Sequence, residues 1–124
     1  MTETYVTLFD STYLPQGLAL YQSLIEHAGE FELWVICVDD DCYSFLEQIK
    51  SASIHPLRLS ELETDSLIDI KYTRTKTEYC WSLTPWSIQW VFSASDSVER
   101  VTYLDADTIL LSSPKPIFDA FEAS

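Results

Sequence analysis

Two aspartates, Asp105 and Asp107, stand one residue apart directly after an apolar run in the stretch RVTYLDADTILLSSP at residues 100–114. In extended backbone, side chains at i and i+2 project to the same side, and two carboxylates so placed repel each other unless a proton or a cation intervenes. A divalent cation is the natural compensator. Mg2+ or Mn2+ held by one or two carboxylates commonly completes its octahedron with water and phosphate oxygens. The pair therefore predicts a metal site for a phosphorylated ligand, with Asp105 and Asp107 as the protein's metal ligands. The competing reading is a solvated acidic turn, because a motif as short as D-x-D recurs by chance. A hydrophobic strand in front of it, and further acidic strand ends beside it, are what distinguish a site from a turn.

The chain supplies such surroundings. Residues 4–9 (TYVTLF) alternate and are rich in β-formers; Pro15 then stands at a first helical turn, with Leu18, Tyr21, Leu24, Ile25 and Ala28 at helical spacing. The run FELWVICV at 31–38 predicts a buried strand, and Asp39, Asp40 and Asp41 after it suit a helix N-terminus whose apolar face holds Phe45, Leu46 and Ile49. Residues 54–59 (IHPLRL) predict a weaker strand because of Pro56, followed by a short helix to about Ile70 opened by a capping box of Ser60 and Glu63. From Glu78 to Ser95 runs an aromatic helix with Tyr79, Leu83, Trp86 and Trp90 on a core-facing stripe and a break or kink at Pro85. Residues 100–104 complete the series as a buried strand. Strands separated by helices of this length predict an α/β fold, a Rossmann-like, mostly parallel sheet with flanking helices. In such sheets ligands bind beyond the carboxyl ends of the strands. Three acidic features fall there: Asp10, the run Asp39–Asp41, and Asp105 with Asp107. The middle run reads as a solvated helix cap.

Composition excludes several classes. Twenty acidic residues against seven basic give a formal net charge of -13. With no Lys/Arg cluster, nucleic acid is not an expected partner. A phosphate-bearing small molecule remains compatible, since a carboxylate-held cation inverts the local potential. The chain has two glycines, too few for a G-x-G-x-x-G or P-loop phosphate cradle. No apolar run approaches the roughly 20 residues of a membrane span, and the first residues do not read as a secretory signal, so a cytoplasmic protein is the default expectation. Cys37, Cys42 and Cys80 lack C-x-x-C spacing and read as reduced core or near-core thiols. His27 and His55 read as structural or exposed.

The segments FDSTYLPQGLALYQSL, EYCWSLTP and VTYLDADTILLSSPKPIFDAF, spread over essentially the whole chain, resemble nucleotide-sugar glycosyltransferases of the nucleotide-diphospho-sugar fold related to family eight. The resemblance implies that Phe9, Asp10 and Tyr13, at the end of the first strand, lie at the uracil base of a UDP-sugar donor. It implies Mn2+ or Mg2+ on Asp105 and Asp107 bridging the diphosphate, with Asp105 also near the ribose and neither aspartate a catalytic base. The family's arginine on the helix before the D-x-D strand has no counterpart in residues 78–95, which leaves Arg74 and Lys76 as the basic residues for that contact. A third metal ligand and the acceptor-binding residues are implied to come from a second half after the D-x-D segment. Residues 1–124 are thus expected to be a single nucleotide-sugar-binding domain, the N-terminal half of a glycosyltransferase. This half is expected to be inactive by itself toward its unknown acceptor, and residues 108–114 are expected to leave a strand edge that favours homo-oligomers.

Two other readings fit part of the pattern. VTYLDADT also matches the strand-D-x-D-x-T signature of haloacid-dehalogenase-like phosphatases, with Asp105 as nucleophile, Asp107 as acid/base and Mg2+ as cofactor. Chain order opposes it: that motif usually sits on the first strand, and Lys115 is the one lysine that follows. The remaining reading is a non-catalytic nucleotide-binding fragment.

Overall fold

The structure, a computed structural model, describes residues 2–123. Strands β1 (Glu3–Phe9), β2 (Phe31–Cys37), β3 (Ile54–Arg58) and β4 (Val101–Tyr103) form one sheet in the order β3-β2-β1-β4. Each neighbouring pair is parallel. The α/β fold with a parallel sheet flanked by helices is therefore present as the hydrophobic pattern requires.

Every second residue of the two central strands faces one of two cores. Tyr5, Phe9, Leu33, Val35 and Cys37 pack against Leu20 and Leu24 of α1 (Leu14–His27) and Cys42 and Leu46 of α2 (Asp40–Glu47). Val6, Leu8, Trp34 and Ile36 face Leu59 of α3 (Leu59–Leu62), Leu67 of α4 (Asp65–Lys71), Tyr79 of α5 (Lys76–Ser82), and Leu83 and Val91 at α6 (Thr84–Ala94). Burying each such leucine or valine contributes about 1.5–3 kcal/mol. A last helix, α7 (Lys115–Ala123), places Phe118 6.3 Å from Tyr5, under the guanidinium of Arg100. Arg100 also binds Glu3 of β1 and Glu122 of α7 and so fastens both to the start of β4.

Several local expectations change. Pro56 pairs with Val35 on β3, an outer strand of the sheet, where a missing N–H is tolerated. Arg58, not Ser60, stands at the N-terminal boundary of α3 and makes no side-chain cap there, and Glu63 closes that helix; the capping box forms instead at Thr75 and Glu78, opening α5. The aromatic helix is two helices divided at Leu83, with Pro85 in the first turn of the second. Its buried face carries Tyr79, Leu83, Ser87 and Val91, while Trp86 is 45% exposed. Phe45 and Ile25 likewise face solvent. β4 is shorter than the apolar run and half-buried, as suits an outer strand. No strand forms over 108–114: Leu110 turns into the first core and donates its N–H to Ser23 Oγ, leaving Ile109 and Leu111 exposed.

The two glycines have different work. Gly29 follows the end of α1 at φ 69°, a left-handed conformation that terminates the helix at little cost. Gly17 lies inside α1, where a Cβ would stand 2.3 Å from the ring of Phe9. Gly17→Ala gains up to about 1 kcal/mol of helix propensity but forces the buried Phe9 ring to move, an overpacking cost of about 1–3 kcal/mol. The variant is expected to melt below the wild type in a thermal unfolding experiment; an unchanged or higher Tm would show that the ring is free to yield.

Candidate functional site

β1 has β2 on one side and β4 on the other, so the chain reverses its direction of strand addition at β1. The carboxyl ends of parallel strands at such a reversal form a crevice, the usual ligand position in open α/β sheets. Here the crevice is a cleft of about 350 Å3. Its strand side is made by Leu8, Phe9 and Asp10 from β1, Val38 after β2, and Tyr103, Asp105, Ala106 and Asp107 from β4 and its turn. Its other wall is α5, through Lys76, Thr77, Cys80 and Trp81.

Five of the six residues expected at the site meet there: Phe9, Asp10, Tyr13, Asp105 and Asp107. Arg74 lies outside the lining, and Lys76, two residues on, takes its place. Phe9 is 4% exposed, its ring set beneath Gly17. Tyr13 is 51% exposed and Trp81 72%, so the rim carries two accessible aromatic faces.

The D-x-D pair is not extended. β4 ends at Tyr103, and the Thr108 N–H donates to the Asp105 carbonyl at 3.0 Å, folding residues 105–108 into a turn that still presents both exposed carboxylates to the cleft. Among the described residues no three His, Cys, Asp or Glu side chains cluster to hold a metal ion. The donor set of Asp105 and Asp107 is all oxygen, the chemistry a hard divalent cation takes, and fits an ion that draws its remaining ligands from water and a ligand's phosphates.

Asp10 is fully engaged. Its Oδ1 accepts the N–H groups of Thr12 and Tyr13 at 3.0 and 3.3 Å, capping a 3-10 turn at Ser11–Tyr13. Its Oδ2 accepts from Lys76 Nζ at 2.6 Å. That bond raises the ammonium's pKa above its ordinary value, so Lys76 carries its charge throughout the neutral range. Burial pushes up the Cys80 thiol and the Tyr103 phenol, and both are protonated in the cleft at neutral pH. Cys37 and Cys42 lie beneath, free and buried; the Cys37 thiol is pushed far up by its hydrogen bond with Cys42 and by burial, which makes it inert as a nucleophile. Lys115, the lysine a phosphatase reading would require, pairs with Asp119 at 2.7 Å on α7 and does not line the cleft.

Beside the cleft, Asp39 ties two loops together. Its Oδ2 accepts from the Ser11 hydroxyl at 2.7 Å and the Ser11 N–H at 3.1 Å, and its Oδ1 caps α2 at the Cys42 N–H. His27 and His55 stand away from the cleft, His55 stacked on Trp34 at 4.5 Å.

No protein-family model matches the chain. Two curated proteins of Bacillus subtilis (strain 168) are similar to it. Uncharacterized protein YfnF is 33% identical over 119 residues, 96% of this chain and 39% of the relative. Uncharacterized protein YfnD is 32% identical over 114 residues, 92% of this chain and 37% of the relative. The chain thus spans less than two fifths of the length of each. Among solved structures, the apo form of glycosyltransferase GlyE from Streptococcus pneumoniae TIGR4 superposes with a TM-score of 0.57 at 17% identity, over 96% of this chain and 26% of that one. A second GlyE structure gives 0.53 at 15%, over 96% and 27%. The fold is shared with a glycosyltransferase. No helix among the described residues is long and apolar enough to cross a membrane.

The Asp39 ties carry a pH dependence. Burial alone would raise this carboxyl, but the bonds from Ser11 and Cys42 prevail and hold it below its ordinary value of 3.8. A carboxyl depressed by folding contributes stability that is complete above the unfolded-state value and disappears as pH falls through the folded one. Asp39→Ala is expected to lower Tm at neutral pH, with the gap to wild type closing as pH drops below about 4. A gap that holds constant down to pH 2 would remove the charge from the explanation.

Proposed function

We propose that this chain binds a nucleotide-sugar, a UDP-sugar, with Mn2+ or Mg2+ at Asp105 and Asp107, as the donor-binding half of a glycosyltransferase. The observation that carries this reading is the cleft where the chain reverses at β1: it gathers Asp10, Asp105 and Asp107, one ammonium and two exposed aromatics in the volume of a small ligand. When bound, the cation supplies Lewis-acid stabilisation to the leaving nucleoside diphosphate.

The protein's own part is binding and orientation. Tyr13 and Trp81 offer flat faces to a base or a sugar ring. The Asp105–Thr108 hydrogen bond shapes the backbone turn that carries the two carboxylates, and Leu8, Val38 and Tyr103 add apolar and aromatic surface to the cleft lining. Asp105 and Asp107 serve as ligands of the cation, and no general base or nucleophile among the lining residues is assigned. A third protein ligand and an acceptor surface belong, in this reading, to the portion of a longer protein that the relatives possess beyond the matched length.

Calorimetric titration of UDP tests this. Binding is expected in Mn2+ and to weaken about tenfold or more in EDTA, because three carboxylates against the single ammonium of Lys76 leave the cleft repelling a diphosphate. Asp107→Ala is expected to lose the Mn2+-dependent gain. Equal affinity with and without metal would sink the proposal. The same reading expects negligible UDP release from UDP-sugars by these 124 residues, since it assigns the acceptor surface to a portion outside them. Sustained turnover by the isolated chain would show that a whole active site lies within it.

A further inference from the structure

Both oxygens of Asp10 are occupied: Oδ1 by the two backbone N–H groups of the turn it caps, Oδ2 by Lys76. The carboxylate is itself largely shielded, its side chain 12% exposed. Oδ1 thus has no lone pair left for a ligand, and Oδ2 keeps one while its other lone pair and its charge are taken by Lys76. Lys76 can leave. It stands in the first turn of α5, 66 residues from Asp10 in sequence; its side chain is 66% exposed, and nothing but Asp10 is bonded to its Nζ among the hydrogen bonds described. It is also the single basic side chain among the cleft-lining residues, facing three carboxylates. An anionic group entering this cleft has one side-chain cation to meet, and that cation is already held.

We propose that Lys76 is an exchanging counter-ion: it pairs with Asp10 in the free protein and transfers to a phosphate oxygen of the bound diphosphate, releasing Asp10 Oδ2 to accept a hydrogen bond from the rest of the ligand. Phosphate binding and the unmasking of Asp10 are then one event. A ligand lacking phosphates meets an Asp10 whose charge is paired and whose Oδ2 has one lone pair to offer, and a ligand offering phosphates frees the charge and the second lone pair. The ammonium moves between two anions without changing its protonation, so no proton is gained or lost. This inference rests on the cleft's being a diphosphate site, as proposed above, and adds how the site selects for one.

The test uses inorganic pyrophosphate and UDP as probes, each titrated calorimetrically in Mn2+ into the wild type, Lys76→Met, Asp10→Asn and the double variant. Asparagine keeps the Oδ1 cap of the turn, and thermal melts confirm that each variant is folded. Lys76→Met is expected to weaken pyrophosphate about tenfold, the loss of one charge-assisted hydrogen bond. Asp10→Asn is expected to tighten pyrophosphate several-fold, because Lys76 no longer has to be withdrawn from a competitor. In the Lys76→Met background the same substitution is expected to tighten it less, since no competition remains to relieve. A merely through-space effect of the Asp10 charge predicts the reverse order, a larger gain without Lys76, and that result overturns the exchange. So does a Lys76→Met protein that binds pyrophosphate as wild type does. Wild type that binds pyrophosphate but not UDP defeats the nucleotide reading while the exchange is still decided by the variants. Wild type that binds neither probe in Mn2+ defeats both.

Discussion

The cleft depends on β1 being paired along both edges. Seven consecutive residue pairs join it to β2 and three join it to β4, all parallel, so the three strands end on the same side of the molecule. That common end brings Asp10, Asp39 and Asp105 together although they are up to 95 residues apart (105 − 10). Central placement demands that β1 be buried on both faces, and six of its seven residues are. It also demands that the helix crossing above come close, which is why Gly17 sits over Phe9. The position of the carboxylates is thus a product of apolar packing and backbone pairing, with the Arg100–Glu3 pair fastening β1 to β4 at the opposite strand ends.

Once gathered, the carboxylates need internal compensation, and the structure supplies it with local backbone N–H groups, one hydroxyl and one ammonium. Asp10 and Asp39 each cap a helical turn with backbone N–H groups, where the peptide dipoles favour a negative charge. Ser11 donates to Asp39, and Lys76 to Asp10. Asp105 and Asp107, exposed on their turn, have no hydrogen bond of their own to a side-chain donor among those described. The inner carboxylates are satisfied by the protein and the outer pair is left to solvent or ligand, a division of roles that a single acidic patch would not show.

How much of this was legible in the sequence follows the range of the interactions. The strands were, because FELWVICV is a nearly continuous apolar run, TYVTLF alternates in β-formers, and both are short enough to exclude helices. Asp10, Asp105 and Asp107 were legible as acids at strand ends. Lys76 was named only beside Arg74 and through the resemblance, and Trp81 was not given its place, since α5 reaches the cleft through packing of Tyr79 and Leu83 onto the sheet, a contact with no local signature. The capping box shows the same limit at short range. SELE at 60–63 and TKTE at 75–78 carry the same S/T-x-x-E spacing. They differ in that β3 runs on to Arg58 and hands the chain directly to α3, which moves that helix start upstream. The backbone of the D-x-D pair was misread: extended backbone needs a neighbour strand, and β4 stops at Tyr103.

The brevity of β4 gives the two cleft aspartates a mechanical setting of their own. They follow a three-residue strand and precede a stretch anchored by the Leu110–Ser23 bond, the Arg100 pairs and the Phe118 contact. With so few main-chain bonds to the sheet, residues 101–123 form the unit whose local opening should cost least, well below global unfolding. A ligand held by Asp105 and Asp107, as proposed, would bind only the closed arrangement and so suppress that opening by mass action. Amide hydrogen exchange at Leu104, whose N–H bonds to Val6, and at Leu110 therefore becomes a gauge of cleft occupancy. The weakest part of the sheet is also where a bound ligand would register most strongly.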